Sequence, residues 1–186
     1  MKNLITFLFL LSFHLTFAQQ TPKADTYRDT VFRSLGDTLI GKITIDKDAN
    51  KYFFVSDTIA ETELDPKTVL GFVVIPKEYE TDKLFYSSII GDFYLLETGA
   101  NDIITMYAKP TFKAIENDGP KYYTVKKKYC LFKNKVIYFP DKNSFKDIML
   151  FLTKDCFDIN NKIKNNTLGL NDLPVIVTGY NHCNSN

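Results

Sequence analysis

Histidine is scarce in this chain, with two among 186 residues. His14 lies in an apolar leader, which leaves His182, near the carboxyl end, for the mature protein. A serine or cysteine nucleophile usually needs a neighbouring base. Cys183 follows His182, but adjacent residues of a helix point in different directions. The scarcity of histidine therefore argues against a histidine-dependent hydrolase.

Several motifs of catalytic and metal sites are also missing. The chain has no G-x-S-x-G turn, no H-E-x-x-H sequence and no glycine-rich phosphate loop. Its three cysteines, Cys130, Cys156 and Cys183, do not have the spacing of metal ligands. The sequence therefore predicts no catalytic residue, no metal and no cofactor.

Net charge and long apolar runs are lacking as well. The chain has 23 basic and 22 acidic residues, a formal net charge of +1, and loss of the leader with Lys2 would leave it neutral. A neutral protein has no overall field to hold nucleic acid or an anionic membrane. Beyond the leader, no apolar run approaches the ~20 residues of a membrane-spanning helix. We therefore expect no nucleic-acid partner and no transmembrane helix.

The leader itself is informative. Lys2 precedes an apolar stretch from Ile5 to Phe17, and Thr16-Phe17-Ala18 fits a cleavage signal. Residues 1–18 are therefore predicted to be a signal peptide, followed by a flexible polar segment over 19–26. No cysteine stands directly after the apolar stretch, which argues against lipid attachment at a new amino-terminal cysteine. The protein is expected to be exported, whether periplasmic, outer-membrane-associated or secreted.

Residues 27–140 contain short apolar and β-branched runs separated by turn residues, a pattern typical of antiparallel strands. About ten short strands are predicted, forming a meander, a sandwich or a partly open barrel, and they include Ile103–Ala108, Phe112–Ile115, Tyr122–Val125 and Tyr129–Phe132. The strongest turn signal is Asn117-Asp118-Gly119-Pro120. Further turns are predicted at Ser34–Asp37, Asp46–Asn50, Gly91-Asp92 and Lys133–Lys135. In the last turn, Asn134 is expected to have a positive φ.

Residues 141–186 are predicted to form a cap of two or three helices that packs on the sheet, giving one α+β domain. One helix face is indicated by apolar residues at spacings of three and four: Phe145, Ile148, Met149, Leu152 and Cys156. Leu150 and Phe151 widen that face, which predicts burial on more than one side. Asn171 or Asp172 is expected to cap a final helix with Pro174 in its first turn. The apolar face of that helix is predicted to consist of Leu173, Ile176, Val177 and Tyr180.

Export implies an oxidising compartment. Cys156 and Cys183 flank the helical tail and are the predicted disulfide, which would contribute ~3–4 kcal/mol in the loop-entropy description. Cys130 lies in a strand pattern and is expected to be a buried thiol.

Four stretches also resemble a known group of proteins: GDTLIGKI, LGFVV, FYLLETG with IITMYAKP, and FKDIMLFLTKDCFDINNKI with VIVTGYNHC. They are similar to small exported proteins of Bacteroidetes-type bacteria, which join a strand-rich region to a C-terminal helical segment with cysteines. The resemblance implies the same compartment and layout, and it implies no activity.

One cluster suggests binding. Cations and aromatic rings are interleaved at Lys121, Tyr122, Tyr123, Lys126, Lys127 and Lys128. Such a cluster can bind a polyanion, but lysines on an edge strand also prevent edge-to-edge pairing. Both interpretations stay open at this point.

Two clusters of acidic residues are candidate catalytic or calcium sites. Glu61, Glu63 and Asp65 alternate, as paired carboxylates of a glycan-acting enzyme can, or as a wet strand face does. Asp46, Asp48 and Asn50 resemble the start of a calcium loop, but Lys51 stands where such a loop needs glycine, so a hairpin turn is favoured.

Possible O-glycosylation signals of the D-[ST]-aliphatic type occur at Thr30, Thr38 and Thr58.

These observations predict an exported, non-enzymatic β-rich module that binds an envelope partner or ligand. The first alternative is a carrier of a small apolar ligand, built as a barrel with an internal cavity. The second is a carboxylate-dependent, glycan-acting enzyme.

Overall fold

The computed structural model describes residues 29–75, 84–99, 102–115 and 121–184. The predicted signal peptide, the segment 19–26 and the predicted turn at 117–120 lie outside the described residues. The strands are β1 Asp29–Arg33, β2 Thr38–Asp46, β3 Lys51–Val55, β4 Thr62–Glu63, β5 Val69–Val74, β6 Leu84–Ile89, β7 Asp92–Leu96, β8 Thr105–Ile115, β9 Tyr122–Lys133 and β10 Val136–Tyr138. The α-helices are α1 Phe145–Leu152, α2 Phe157–Lys164 and α3 Leu173–Cys183.

All ten strands belong to one antiparallel sheet in the order β10-β9-β8-β7-β6-β5-β1-β2-β3-β4. The sheet is open, and β4 and β10 are its edges. Strands β1 to β4 form one meander, after which β5 returns to pair with β1 and begins a second meander through β10. The predicted α+β class and the antiparallel sheet are confirmed.

Two tight turns show how local chemistry fixes the hairpins. Asn134 has the expected positive φ of 52°, and Lys135 follows at 65°. The predicted Gly91-Asp92 turn is wrong by one residue, because Ile90 and Gly91 form the turn and Asp92 already pairs with Ile89. Their φ values of 48° and 78° are those of a hairpin turn that favours Asn-Gly.

The two longest strands are each predicted as two shorter ones. The predicted strands 103–108 and 112–115 form one strand, β8, which runs through Pro110 and pairs it with Lys127. A proline is tolerated in a strand where its missing N–H would face an open edge. Strand β7 pairs with β8 at Tyr107 and Ala108, so Pro110 lies beyond the end of that ladder.

The buried residues form two clusters on the same face of the sheet. A row of paired residues, Tyr86, Leu95, Ala108 and Tyr129, crosses from one cluster to the other. We call this the cap face, because the helices cover its β8–β9 end, and the opposite side the outer face. The cluster under the helices includes Ile104, Met106, Leu131, Phe145, Met149, Leu152, Ile163, Ile176 and Tyr180.

The second cluster is filled by aromatic rings. The ring of Phe72 stacks on Tyr86 with centroids 4.6 Å apart, and it contacts Phe93 edge-on at 5.0 Å. Tyr52 approaches Phe72 to 5.1 Å. Offset and edge-to-face contacts of this kind add stability beyond burial of area. This part of the interior is therefore packed with side chains.

The helices follow the predicted pattern with two corrections. Phe145, Met149 and Leu152 are buried as expected. Leu150 is half-buried against the same cluster, but Phe151 is 59% exposed, so the predicted widening of the face holds for Leu150 and is wrong for Phe151. Cys156 does not continue the face of α1, since α1 ends at Leu152 and Cys156 precedes α2.

The last helix has the expected buried face, which consists of Leu173, Ile176, Val177 and Tyr180. Cys156 and Cys183 form the predicted disulfide, with Cα atoms 6.2 Å apart. Cys130 is a buried free thiol, also as predicted. None of the helices in the described ranges is long and apolar enough to span a membrane.

A polar contact joins the sheet to the cap. The Lys133 ammonium donates to the Leu152 carbonyl (2.8 Å) and to the Tyr180 hydroxyl, which donates to the Asp155 carboxylate at 2.8 Å. Burial and Asp155 both raise the pKa of Tyr180, so the phenol stays protonated and remains a donor. Desolvation pushes the pKa of Asp155 upward, but the Tyr180 hydrogen bond, a backbone amide and two lysines together hold it below its ordinary value.

Candidate functional site

The far halves of β8 and β9 form a two-stranded projection that we call the arm, residues 109–115 and 122–128. Strands β8 and β9 pair continuously from Thr105↔Phe132 to Ile115↔Tyr122. On one side the pairing of β8 with β7 ends at Ala108, and on the other the pairing of β9 with β10 ends at Leu131. In the arm, therefore, each strand has one edge without a strand neighbour among the described residues.

Four lysines share the outer face of the arm. Successive side chains of a strand point to opposite faces, and directly paired residues point to the same one. Ala108 and Tyr129 lie on the cap face, so the next pair, Lys109 and Lys128, lies on the outer face. The same alternation adds Lys113 and Lys126, together with Thr111, Thr124 and Tyr122.

This arrangement concentrates positive charge. Like charges directly opposite each other in a ladder are unfavourable, and Lys109 is paired with Lys128. The Lys109 ammonium is compensated by Asp92 at 2.6 Å. Within the described ranges, no ion pair involves Lys113, Lys126 or Lys128. The outer face of the arm is therefore a cationic surface of the folded protein.

The predicted cluster on β9 is divided between the two faces. Lys126, Lys128 and Tyr122 lie on the lysine-rich outer face, whereas Lys121, Tyr123 and Lys127 lie on the cap face. Lys127 donates to Glu97 at 2.8 Å, and Lys121 forms an ion pair with Asp48. The structure thus brings half of the predicted cluster together and assigns the other half to internal contacts.

Sequence reasoning missed the two lysines that β8 contributes. Lys109 and Lys113 are four residues apart, a spacing that puts both on one face of a strand. The signal was present, but the sequence pattern predicts separate strands at 103–108 and 112–115, which leaves Lys109 outside a strand.

The cap face of the arm rests against the β2–β3 turn, residues 46–50. Asn50 accepts a hydrogen bond from the backbone amide of Phe112 at 2.8 Å, and Tyr123 donates its hydroxyl proton to Asp48 at 3.0 Å. The Lys47 ammonium lies 5.4 Å from the Tyr123 ring centroid. Hydrogen bonds from Lys121 first and Tyr123 second hold the pKa of Asp48 below its ordinary value. These contacts hold the arm against the β2–β3 turn.

The contacts within the same turn argue against a calcium loop. Asp46 accepts hydrogen bonds from the amides of Asp48 and Ala49 at 2.9 and 3.0 Å, and Asn50 has a φ of 55°. These are contacts of a hairpin turn. No cluster of three metal-ligating side chains occurs among the residues with described positions.

The carboxylates Glu61 and Glu63 do not act as a pair. Both are exposed; Glu63 accepts from Lys51 at 2.7 Å, and Glu61 accepts from the Thr44 hydroxyl at 3.5 Å. A cleft of about 360 Å³ is lined by Glu63 and Asp92 but not by Glu61. Glu61 and Glu63 therefore do not share a cleft, because Glu63 lines this one and Glu61 does not.

A small pocket on the outer face reaches Cys130. It has a volume of about 220 Å³ and is lined by Ser87, Ser88, Ile89, Tyr107, Cys130, Phe132 and Ile137. Burial raises the pKa of the Cys130 thiol to about 11. A thiol that stays protonated at neutral pH is a poor nucleophile, so the pocket has no reactive group in this cysteine.

The three glycosylation candidates differ in exposure. Thr30 is half-buried in β1, between its partners Ile40 and Val73. Thr38 is exposed at the start of β2, and Thr58 is exposed in the β3–β4 loop. Of the three, Thr58 lies in a segment without a ladder and is the best placed for modification.

No protein family, no curated protein and no solved structure matches this chain. The arguments about function therefore rest on the geometry above.

Proposed function

We propose that this chain is an exported, non-enzymatic β-rich module that binds an anionic partner or ligand of the cell envelope. The observation that carries the proposal is the lysine-rich outer face of the arm. The Cys156–Cys183 disulfide supports export, because such bonds persist in oxidising compartments. The resemblance to small exported proteins points to the same compartment.

The spacing of the four lysines suits an extended polyanion. Lys109 and Lys113 are separated by about 13 Å along β8, from the rise of a strand, and the two rows of cations are about 5 Å apart. Tyr122 is 56% exposed beside them and offers an aromatic surface. A linear polymer that carries a sulfate, phosphate or carboxylate every few ångströms would contact several cations at once.

The test measures binding of the mature protein to dextran sulfate and to polygalacturonate, with neutral dextran as the control polymer. We expect binding to both anionic polymers that weakens as salt rises, because the lysines are exposed and screened by ions. Lys113→Glu combined with Lys126→Glu should reduce the affinity at least tenfold.

The matched control is Lys162→Glu combined with Lys164→Glu, which makes the same charge change on α2. If both double variants lose binding equally, the interaction follows net charge and the arm has no special role. Equal or stronger binding to single-stranded DNA would identify a general polyanion binder and would contradict an envelope ligand. No binding to either anionic polymer would overturn the proposal.

A further inference from the structure

We infer that the edge of β9 on the β10 side accepts an extended acidic peptide as an added strand. This site lies along a strand edge of the arm, and Lys128 is the one lysine that it shares with the lysine-rich outer face. It lies in a groove of about 590 Å³ between the arm and the cap. The groove is lined by Val125, Lys127, Lys128, Tyr129, Phe139, Pro140, Asp141, Lys142, Leu170 and Asn171.

The direction of the backbone groups along β9 follows from two hydrogen bonds of β8. Met106 accepts from the amide of Glu97, and the amide of Phe112 donates to Asn50, so even-numbered residues of β8 use their backbone groups on the side away from β9. Alternate residues of an antiparallel strand bond to opposite neighbours. The odd-numbered residues of β8, such as Lys109, therefore bond to β9.

The partners of those odd residues are even residues of β9, for example Lys128 opposite Lys109. It follows that Val125, Lys127 and Tyr129 turn their N–H and C=O groups to the other edge. In the described part of the chain, no strand pairs with that edge over residues 122–130, and β10 pairs with it only from Leu131 to Lys133. Unpaired groups in a row are a template for an added strand.

Strand β10 shows why the groove exists. It pairs with the same edge from Lys133 to Leu131 and then leaves the ladder toward Pro140, which has no N–H to donate. The chain that follows forms the opposite wall with Lys142. A bound peptide would pair with the same edge of β9, beyond the point where β10 leaves the ladder.

The side chains around the groove favour an acidic peptide. Lys127, Lys128 and Lys142 line it, but Lys127 is already paired with Glu97. This leaves Lys128 and Lys142 as the cations of the groove, against one lining carboxylate, Asp141. The Asp141 carboxylate is engaged by the amides of Asn143 and Ser144 at 2.9 and 2.8 Å. Tyr129, Phe139 and Leu170 add apolar surface, so a peptide with alternating acidic and aliphatic side chains matches both features.

The experiment titrates the mature protein with an acetylated, amidated seven-residue peptide of alternating Glu and Val, followed by amide spectra and hydrogen exchange. We expect new protection at Val125, Lys127 and Tyr129, and little change at Lys126 and Lys128, whose amides already bond to β8. A peptide of alternating Lys and Val should bind at least tenfold more weakly.

The decisive variant is Lys127→Pro, which removes one edge donor and spares the β8 ladder, as Pro110 does on β8. It should weaken peptide binding at least fivefold. Lys127→Gln also loses the ammonium and its ion pair with Glu97 but keeps the edge N–H, and it should keep most of the wild-type affinity. If Lys127→Pro fails to fold, N-methylation of the peptide amides that face β9 should produce the same loss on the wild-type protein.

Three results would overturn the inference. One is binding that ignores both Lys127→Pro and N-methylation, and another is no binding of the acidic peptide. The third is protection of the edge amides without peptide at rising protein concentration, with dimers in sedimentation, because a second copy would then pair with the edge. Each leaves the polymer-binding result on the outer face unaffected.

Discussion

The side-chain amide of Asn181 pairs with both backbone groups of Ile104. Its Oδ1 accepts from the Ile104 N–H at 2.8 Å, and its Nδ2 donates to the Ile104 C=O at 2.9 Å. Asn181 is 7% exposed and lies on α3, whereas Ile104 immediately precedes β8 and is fully buried. A helix side chain thus takes the place of a neighbouring strand and fixes the cap to the sheet.

Replacing Asn181 by alanine should destabilise the fold by about 2–4 kcal/mol, because a buried donor and acceptor lose their partners. The measurement is urea unfolding of the oxidised protein. The matched control is Asn184→Ala on the same helix, whose amide donates to the Tyr180 carbonyl at a less buried position. A loss of less than 1 kcal/mol for Asn181→Ala would show that water replaces the amide.

Ile90→Asn should stabilise the protein by about 1 kcal/mol. Ile90 is 74% exposed and has a φ of 48°, and this left-handed region costs most L-residues about 1–2 kcal/mol but is tolerated by asparagine. Thermal and urea unfolding would measure the change. Leu35→Asn, in the β1–β2 turn at 86% exposure, is the control and should stay within about 0.5 kcal/mol.

Reduction of the Cys156–Cys183 bond should lower the free energy of unfolding by about 3 kcal/mol, given a sequence separation of 27. Urea unfolding with and without a phosphine reductant gives the value. The double variant Cys156→Ala with Cys183→Ala should not respond to the reductant. A response in that variant would mean that the reductant acts elsewhere.

Cys130 should resist thiol reagents in the native state. Its side chain is buried, and burial raises its pKa to about 11, so little thiolate exists at pH 8. Labelling followed by mass spectrometry should show modification only with denaturant. Rapid native labelling would show that the outer-face pocket opens to the thiol.

The acid limb of stability should depend on Asp155. Its folded-state pKa lies below the ordinary 3.8, so the ionised carboxylate stabilises the fold above that pH, and its contribution disappears as pH falls through the folded-state value. Asp155→Asn should flatten the loss of stability between about pH 5 and 2. If Asp155→Asn loses stability with falling pH as steeply as the wild type does, the Asp155 carboxylate does not contribute to the acid limb.

The local elements could be predicted because their causes are local. Alternating apolar residues, turn residues and the three-and-four spacing of α3 lie within short windows of sequence, and they gave the antiparallel strands and the buried face from Leu173 to Tyr180. The division of β8 into two predicted strands was an error with a tertiary cause, because the sequence does not show that Pro110 lies beyond the end of the β7 ladder, where its missing N–H is tolerated.

The site was only half predictable. The lysines of β9 were singled out from sequence, but their division between faces depends on the register of β9 against β8. Lys127 could not be assigned to Glu97, nor Lys121 to Asp48, because these ion pairs join residues distant in the chain.

The sequence by itself determined the strand-rich region, the helical tail and the pairing of Cys156 with Cys183, since periodicity and cysteine position act along the chain. The tertiary structure alone decided which lysines share a surface, which edge of β9 is without a strand neighbour and that Asn181 meets Ile104. These relations arise when the sheet folds and brings together residues that have no spacing rule in common.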